Sequence, residues 1–184
     1  NSSTGILWGG SAEPDTPLTP EGVEASVALG RLLVGLPIVR IWHSGMKRGL
    51  QTCEGLIQGA GLGISPEPPD ARLEEFRYGT YQGLSKQETL PHLRPEMEAQ
   101  GDDFLFPGGD SFRALRNRVG SWMDERAATG LEGIDLVVGH GHAIRAAISH
   151  VTGQDSRELF QVKCENLSLT VFVHRDGRWH CRGY

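Results

Sequence analysis

Between Ile134 and Ile148 the chain reads IDLVVGHGHAIRAAI, an apolar run that passes through glycines and histidines into a helical pattern. The run that ends at Val138 predicts a buried strand, and the pattern that begins at Ala143 predicts a helix. His140 therefore stands at the carboxyl end of a strand, beside the first turn of a helix. Ligands bind at this edge of an open α/β sheet, and the amino end of a helix favours anions. The pattern predicts an anion site at His140 if other segments converge there.

Strand and helix patterns alternate along the rest of the chain. Helices are predicted at 19–35, 46–58, 85–100, 111–127 and 143–148, and strands at 37–42, 134–138, 167–173 and 178–182, with a turn at 174–177. Pro91 and Pro95 are expected to interrupt the third helix. The alternation predicts an α/β fold, a three-layer sandwich whose mostly parallel central sheet carries helices on both faces. We expect one domain over 1–184, with 85–110 as a cap over the pocket.

Composition limits the classes of partner. The chain has 184 residues, 38% of them hydrophobic, and a net charge of −5, which is typical of one globular domain and argues against a nucleic-acid binder. No run approaches the roughly 18 apolar residues of a membrane span. Three scattered cysteines without a CxxC pair favour reduced thiols and a cytoplasmic protein, with no metal site. An anionic small substrate remains compatible with this charge, because a pocket can be locally basic.

Three segments bring polar groups to strand ends or loops. Arg48 lies in the first turn of a predicted helix, where a cation is unfavourable unless an anion faces it; a solvated surface arginine is the alternative. Glu74 and Glu75 stand among aromatic residues and glycines, where a raised pKa would suit a proton donor; two surface glutamates are the alternative. His140 is the third group, and a histidine bonded to backbone is its alternative.

The order of five motifs carries more information than any one of them. The chain reads DTPLTPEG at 15–22, HSGMKRGLQT at 43–52, LEEFRYGTYQG at 73–83, PGGDS at 107–111, and VGHG at 138–141 followed by Ile144-Arg145. Together they resemble the histidine phosphatase superfamily, also called the phosphoglycerate mutase-like family. The matches run in order over nearly the whole chain.

The resemblance implies a role for each matching residue. Arg48 would bind phosphate, Glu75 rather than Glu74 would donate the proton, and His140 would be the second histidine that stabilises the transferring phosphoryl group. The amide of Gly141 would also face the phosphate. The implied activity is a metal-independent and cofactor-independent hydrolysis of a small phosphomonoester through a phosphohistidine. A small phosphorylated metabolite is the expected partner, with no nucleic acid and no membrane; a homodimer is left open.

The nucleophile of the family is a histidine in an Arg-His-Gly triplet, and this sequence contains no such triplet. Asn1 resembles the asparagine that follows the triplet in the family, and we assign it to phosphate binding. The nucleophile is therefore expected upstream of Asn1, with a degenerate relative as the alternative. His43, where the family usually has serine, is a weaker candidate for a replacement nucleophile. His142, in place of a common glycine, is expected to modulate the site.

Two further functions stay open. A phosphoglycerate mutase would return the phosphoryl group to its substrate, but only 65 positions separate Glu75 from His140, and mutases of the family carry a longer insertion there. A non-catalytic module that binds phosphorylated ligands would keep Arg48 and His140 without a nucleophile. The hydrolase is the preferred prediction.

Overall fold

The computed structural model describes residues 5–10, 15–130 and 132–183. Asn1, which we assigned to phosphate binding, lies outside the described residues. The elements are α1 (Pro20–Leu32), β1 (Ile38–His43), α2 (Lys47–Ala60), α3 (Lys86–Gln100), α4 (Phe112–Ala128), β2 (Ile134–Val138), α5 (Gly141–Thr152), α6 (Ser156–Leu159), β3 (Phe172–Arg175) and β4 (Arg178–Cys181). In the described segments, every helix is too short or too polar to cross a bilayer.

The central pairing is a parallel one between β1 and β2. Ile41 pairs with Leu136 and His43 with Val138, so both strands end at the same edge. Successive side chains of β1 face opposite sides: Ile41 packs into a core cluster with Cys53 and Leu56 of α2, whereas Trp42 packs against the cluster of α4 and α5. Helices thus cover both faces of the parallel pair, which confirms the predicted α/β sandwich.

The helices α1 and α2 approach closely because glycines face each other. A Cβ on Gly59 would lie 2.0 Å from the carbonyl oxygen of Val27, and one on Gly30 would lie 2.5 Å from that of Leu56. The predicted start of α1 is confirmed, since the Thr19 hydroxyl accepts a hydrogen bond from the Gly22 amide and Pro20 takes the first helical position. The close packing against α1 fixes the position of α2 and therefore of its amino end.

The prediction that β2 is buried is wrong. Ile134 and Val137 are 36% and 38% exposed. The strand pairs with β1 on one edge, and no strand in the described part of the chain pairs with its other edge. A strand with one neighbour keeps part of its apolar surface in solvent.

The last two strands form an antiparallel hairpin, and the predicted strand at 167–173 is misplaced. Leu167 has φ of +60°, and the Ser168 amide donates to the Glu165 carbonyl, so this stretch is a turn. The strand β3 begins only at Phe172. The hairpin turns on Asp176-Gly177, both with positive φ, which matches a two-residue turn between twisted strands.

The expected interruption of α3 does not occur. The helix continues through Pro91 and Pro95, and none of its residues is buried. The carbonyl groups that lose a helical partner at each proline therefore face solvent, which lowers the cost of the two prolines.

Candidate active site

The shared edge of β1 and β2 brings two polar side chains together. Ser44 follows β1 and His140 follows β2, and the Ser44 Oγ lies 2.7 Å from the His140 Nε2. Ser44 is buried, and its Oγ also accepts a hydrogen bond from the Met46 amide at 3.4 Å. The hydroxyl proton can therefore point to His140. Ser44 orients the imidazole, a role that the sequence alone did not indicate.

His140 is held in its neutral form. Burial lowers the pKa of His140, Glu75 opposes this, and the positive charges of Arg48 and Arg118 add to the lowering, so that the pKa falls to about 4. A phosphoryl anion beside these cations would act in the opposite direction and favour the imidazolium. The site is thus electrostatically prepared for an anion.

Arg48 stands in the first turn of α2, as the sequence predicted. Asp15 accepts hydrogen bonds from the Lys47 amide, at 3.2 and 3.0 Å from its two oxygens, and so caps this helix. The Arg48 guanidinium is half-buried and makes no hydrogen bond or ion pair with any residue that the structure describes. Burial lowers the pKa of Arg48, while Glu75 and Asp15 oppose this. A half-buried, unpaired guanidinium is a suitable anion ligand.

Glu75 is buried at the amino end of α5. Its carboxylate accepts the Phe76 amide at 2.8 Å and the His142 amide at 3.1 and 3.3 Å. Burial would raise the pKa of Glu75, but His142, His140 and the Phe76 amide outweigh burial and lower the pKa to about 2. The expected raised pKa of Glu75 is therefore wrong, because the charge and side chain of His142, together with His140 and the Phe76 amide, favour the carboxylate.

His142 connects Glu75 to an aromatic surface. Its Nδ1 lies 3.5 Å from the Glu75 Oε2, and its Nε2 lies 3.4 Å from the Tyr78 hydroxyl. The ring is surrounded by those of Phe76, Tyr78 and Phe160, with centroids 5.5 to 5.9 Å away. Gly141 begins α5 next to Glu75, and a Cβ there would lie 3.9 Å from the Glu75 Oε2.

Two residues that the sequence did not single out hold the Glu75 loop. Arg118 of α4 donates to the carbonyl oxygens of Arg72, Glu74 and Glu75 at 2.7 to 3.0 Å. Asp110 of the PGGDS motif is buried, pairs with Arg77 at 2.8 Å and reaches Arg118 at 3.4 Å. The sequence showed Arg118 only as an arginine within a predicted helix, which did not indicate its contact with the Glu75 loop. It showed Asp110 only as a member of the PGGDS motif, without a role.

His43 is an unsuitable nucleophile in this arrangement. It is buried, and its Nδ1 accepts a hydrogen bond from the Gly45 amide at 3.0 Å. Burial lowers the pKa of His43. The ring is committed to the turn that leads into α2. Within the described ranges, no group of three or more His, Cys, Asp or Glu residues could hold a metal ion.

Comparison with protein families identifies this architecture. The chain matches the histidine phosphatase superfamily (branch 1) over residues 5–184, and it belongs to that family. The family predicted from the five motifs is thereby confirmed, and with it the prediction of an enzyme of the histidine phosphatase type.

Curated relatives carry the names of mutases. A 2,3-bisphosphoglycerate-dependent phosphoglycerate mutase 2 of Gloeobacter violaceus is 29% identical, over 89% of this chain and 77% of the relative. A 2,3-bisphosphoglycerate-dependent phosphoglycerate mutase of Enterococcus faecalis is 27% identical, over 88% of this chain and 85% of the relative.

Solved structures share the fold at lower identity. Bacillus stearothermophilus YhfR superposes with a TM-score of 0.82 at 20% identity, covering 99% of this chain and 89% of its own. A phosphoserine phosphatase of Entamoeba histolytica gives 0.82 at 17% identity, over 99% and 89% of the two chains. A mycobacterial glucosyl-3-phosphoglycerate phosphatase gives 0.80 at 22%, over 100% and 92%. These structural likenesses support the fold and do not identify the substrate of this protein.

Proposed function

We propose that this protein hydrolyses small phosphomonoesters through a phosphohistidine intermediate, without a metal. One observation carries the proposal: Arg48, whose guanidinium has no hydrogen-bond or ion-pair partner among the described residues, acts electrostatically together with His140 and the buried Glu75 beside one sheet edge. Phosphoryl transfer needs mainly positioning and charge stabilisation, which two cationic groups beside a proton carrier supply.

The roles follow from the chemistry of each group. Arg48 binds the equatorial oxygens through its planar fork, and His140 adds a proton and charge once the anion raises its pKa. The Gly141 amide and Asn1 are assigned to the same oxygens. Glu75 protonates the leaving alkoxide and then takes a proton from the attacking water. The dianionic ester raises the pKa of Glu75 on binding, which converts a carboxylate into a competent acid.

We assign the nucleophile to a strand along the edge of β2 that has no strand partner in the described part of the chain. That edge ends at His140, and the half-exposed Ile134 and Val137 would gain cover from a strand beside them. A parallel strand there would end next to the phosphoryl site. We infer that the Arg-His-Gly segment of the family adds at this edge and presents its imidazole in line with the phosphorus atom.

The test follows the phosphoryl group. Full-length protein is mixed with a radiolabelled ester and quenched, and we expect an acid-labile, base-stable phosphoryl group on a histidine. The variant His43→Ala should form it normally. Glu75→Gln should lower kcat by about a hundredfold or more for alkyl esters, but much less for p-nitrophenyl phosphate, whose leaving group needs no proton. Absence of both a phosphoenzyme and phosphate release would overturn the proposal.

A phosphoglycerate mutase is the second candidate, because two curated relatives bear that name. The discriminating measurement supplies 3-phosphoglycerate with and without 2,3-bisphosphoglycerate. A hydrolase releases inorganic phosphate, whereas a mutase forms 2-phosphoglycerate only when the bisphosphate is present and releases little phosphate. We expect the first outcome.

A further inference from the structure

A cavity of about 400 Å³ lies beneath α3, next to Glu75. Six aromatic residues line it: Phe76, Tyr78, Phe104, Phe106, Phe112 and Phe160. The first five are buried, whereas Phe160 is 42% exposed at the mouth. Leu90 and Met97 of α3 complete an apolar roof. This volume falls within the range of pockets for small organic ligands.

The cavity lies beside the candidate active site, and the His142 side chain stands between them. The imidazole lines the cavity, while its Nδ1 lies 3.5 Å from the Glu75 Oε2. Tyr78 lines the cavity as well, and its hydroxyl lies 3.4 Å from the His142 Nε2. His142 and Tyr78 thus form the part of the aromatic wall that lies nearest to Glu75.

The charges at the mouth compensate each other. Arg94 and Glu98 stand one turn apart on α3 with opposite signs, and both are exposed. Arg157 is paired with Asp155 at 2.6 Å. Among the described residues that line the cavity, each arginine therefore has an acidic residue near it, and a buried carboxylate among aromatic rings would be costly.

We infer that the cavity receives the leaving group of the substrate, and that the preferred substrates are phosphomonoesters of uncharged apolar alcohols, with aryl or branched carbon groups, rather than phosphoglycerates. The inference rests on the proposed hydrolase activity for its catalytic readout. The burial of an apolar group in the wall provides the selectivity, and stacked or edge-on rings add to it.

The first experiment compares esters whose leaving groups are similarly acidic, so that only the carbon group differs. We expect the enzyme to hydrolyse phenylethyl phosphate, esterified at the terminal carbon, with a kcat/KM about tenfold to a hundredfold above that for ethyl phosphate, the value of burying one aromatic ring. The charged 3-phosphoglycerate should be no better than ethyl phosphate.

A matched pair of variants locates the effect in the cavity. Met97→Trp places a bulky ring inside the roof and should reduce the preference for the phenylethyl ester about tenfold. Glu96→Trp adds the same side chain at the neighbouring exposed position, outside the lining, and should leave the preference unchanged. Phe160→Ala and Leu105→Ala form a second pair. Phe160 lines the cavity, so its removal should reduce the preference for the phenylethyl ester, whereas removal of the exposed Leu105, outside the lining, should leave the preference unchanged.

A binding measurement separates this inference from the proposed function. Calorimetry with phenylethylphosphonate and ethylphosphonate needs no turnover. If no ester is hydrolysed, the hydrolase proposal fails, yet tighter binding of the phenylethyl compound that Met97→Trp removes would still support the cavity. If esters are hydrolysed without preference, or 3-phosphoglycerate is preferred, the hydrolase stands and the inference is overturned.

Discussion

Arg48 and Arg40 differ in what holds their guanidinium groups. Arg40 forms an ion pair of 2.7 Å with Asp135, whose side chain is only 9% exposed. Arg48 is half-buried without a partner among the residues described. A protein that keeps an unpaired cation partly out of water accepts a desolvation cost, and anion binding relieves that cost.

The first prediction separates binding from stability. Arg48→Met should abolish binding of inorganic phosphate, measured by calorimetry on the full-length protein, without lowering the midpoint of thermal unfolding. Arg40→Met, the matched control, should keep phosphate binding but lower the free energy of unfolding by about 1 kcal/mol, because Asp135 loses one of its partners. Normal phosphate affinity in Arg48→Met would refute its role.

At this scale the motifs predicted more than the physical signals did. Their positions in the sequence made Arg48, Glu74, Glu75 and His140 candidates, and the motif order selected Glu75 and assigned the roles. Arg48 lies in the first turn of α2, Glu75 lies in a loop, and His140 follows the strand β2. The low pKa of Glu75 was not predictable, because it depends chiefly on the charge and the side chain of His142, which is 67 positions away in sequence. Ser44 was missed because nothing local shows that it meets His140 across the sheet.

The loop that carries Glu75 is fixed by elements distant in sequence. Arg118 binds three of its carbonyl groups, and the buried Asp110 binds both the amide and the guanidinium of Arg77. Close backbone contact reinforces this: a Cβ on Gly79 would lie 2.0 Å from the Pro107 carbonyl oxygen, and one on Gly109 would lie 2.3 Å from that of Arg77. The PGGDS motif therefore helps to fix the position of the loop that carries Glu75.

The second prediction concerns this anchor. Asp110→Asn should lower the free energy of unfolding in urea by about 2 kcal/mol, because the neutral amide cannot balance Arg77 and Arg118. It should also lower kcat, since Glu75 loses its fixed position. Asp103→Asn removes an exposed partner of Arg113 and is the control, with little expected change in either quantity. Equal effects of the two substitutions would contradict the anchor role.

Elements with strong local signals were predicted correctly, and those decided by tertiary contacts were not. The start of α1 follows from Thr19 and Pro20 alone. The strand expected at 167–173 begins only at Phe172, because the chain turns at 165–168 and leaves Leu169 and Val171 about half exposed. Val171 still exchanges backbone hydrogen bonds with Arg182 and Gly183 beside the hairpin. The continuity of α3 through two prolines depends on its solvent exposure, which sequence does not show.

For the whole molecule, the alternation of patterns predicted the α/β sandwich and the motifs predicted the family. The turn predicted between the last two strands indicated a hairpin, but its separation from the parallel pair was not predictable, because strand order is a property of the sheet rather than of any strand. The cavity beneath α3 was anticipated only as a cap, and its aromatic wall comes from four separate segments of the chain.

The third prediction is that acid destabilises the whole molecule. Burial lowers the pKa of His43, and that of His140 to about 4, so below about pH 6.5 the unfolded chain binds protons that the folded protein excludes. Stability should therefore fall as the pH falls from 6.5 towards 4, by up to about 3 kcal/mol for His140. The lowered pKa of Glu75 acts in the same direction, from about pH 4.5 down to about 2.

Urea unfolding at a series of pH values measures this slope. His140→Gln should flatten the dependence between pH 6.5 and 4, leaving the share of His43, while Glu75→Gln should change it only below about pH 4.5. Inorganic phosphate should also weaken the pH dependence of the free energy of unfolding between about pH 6.5 and 4 in the wild-type protein, because an anion at Arg48 favours the charged imidazole of His140. A slope unchanged by His140→Gln would show that this imidazole is not held neutral, and the site would then lack the electrostatic preparation for an anion on which the proposed catalysis depends.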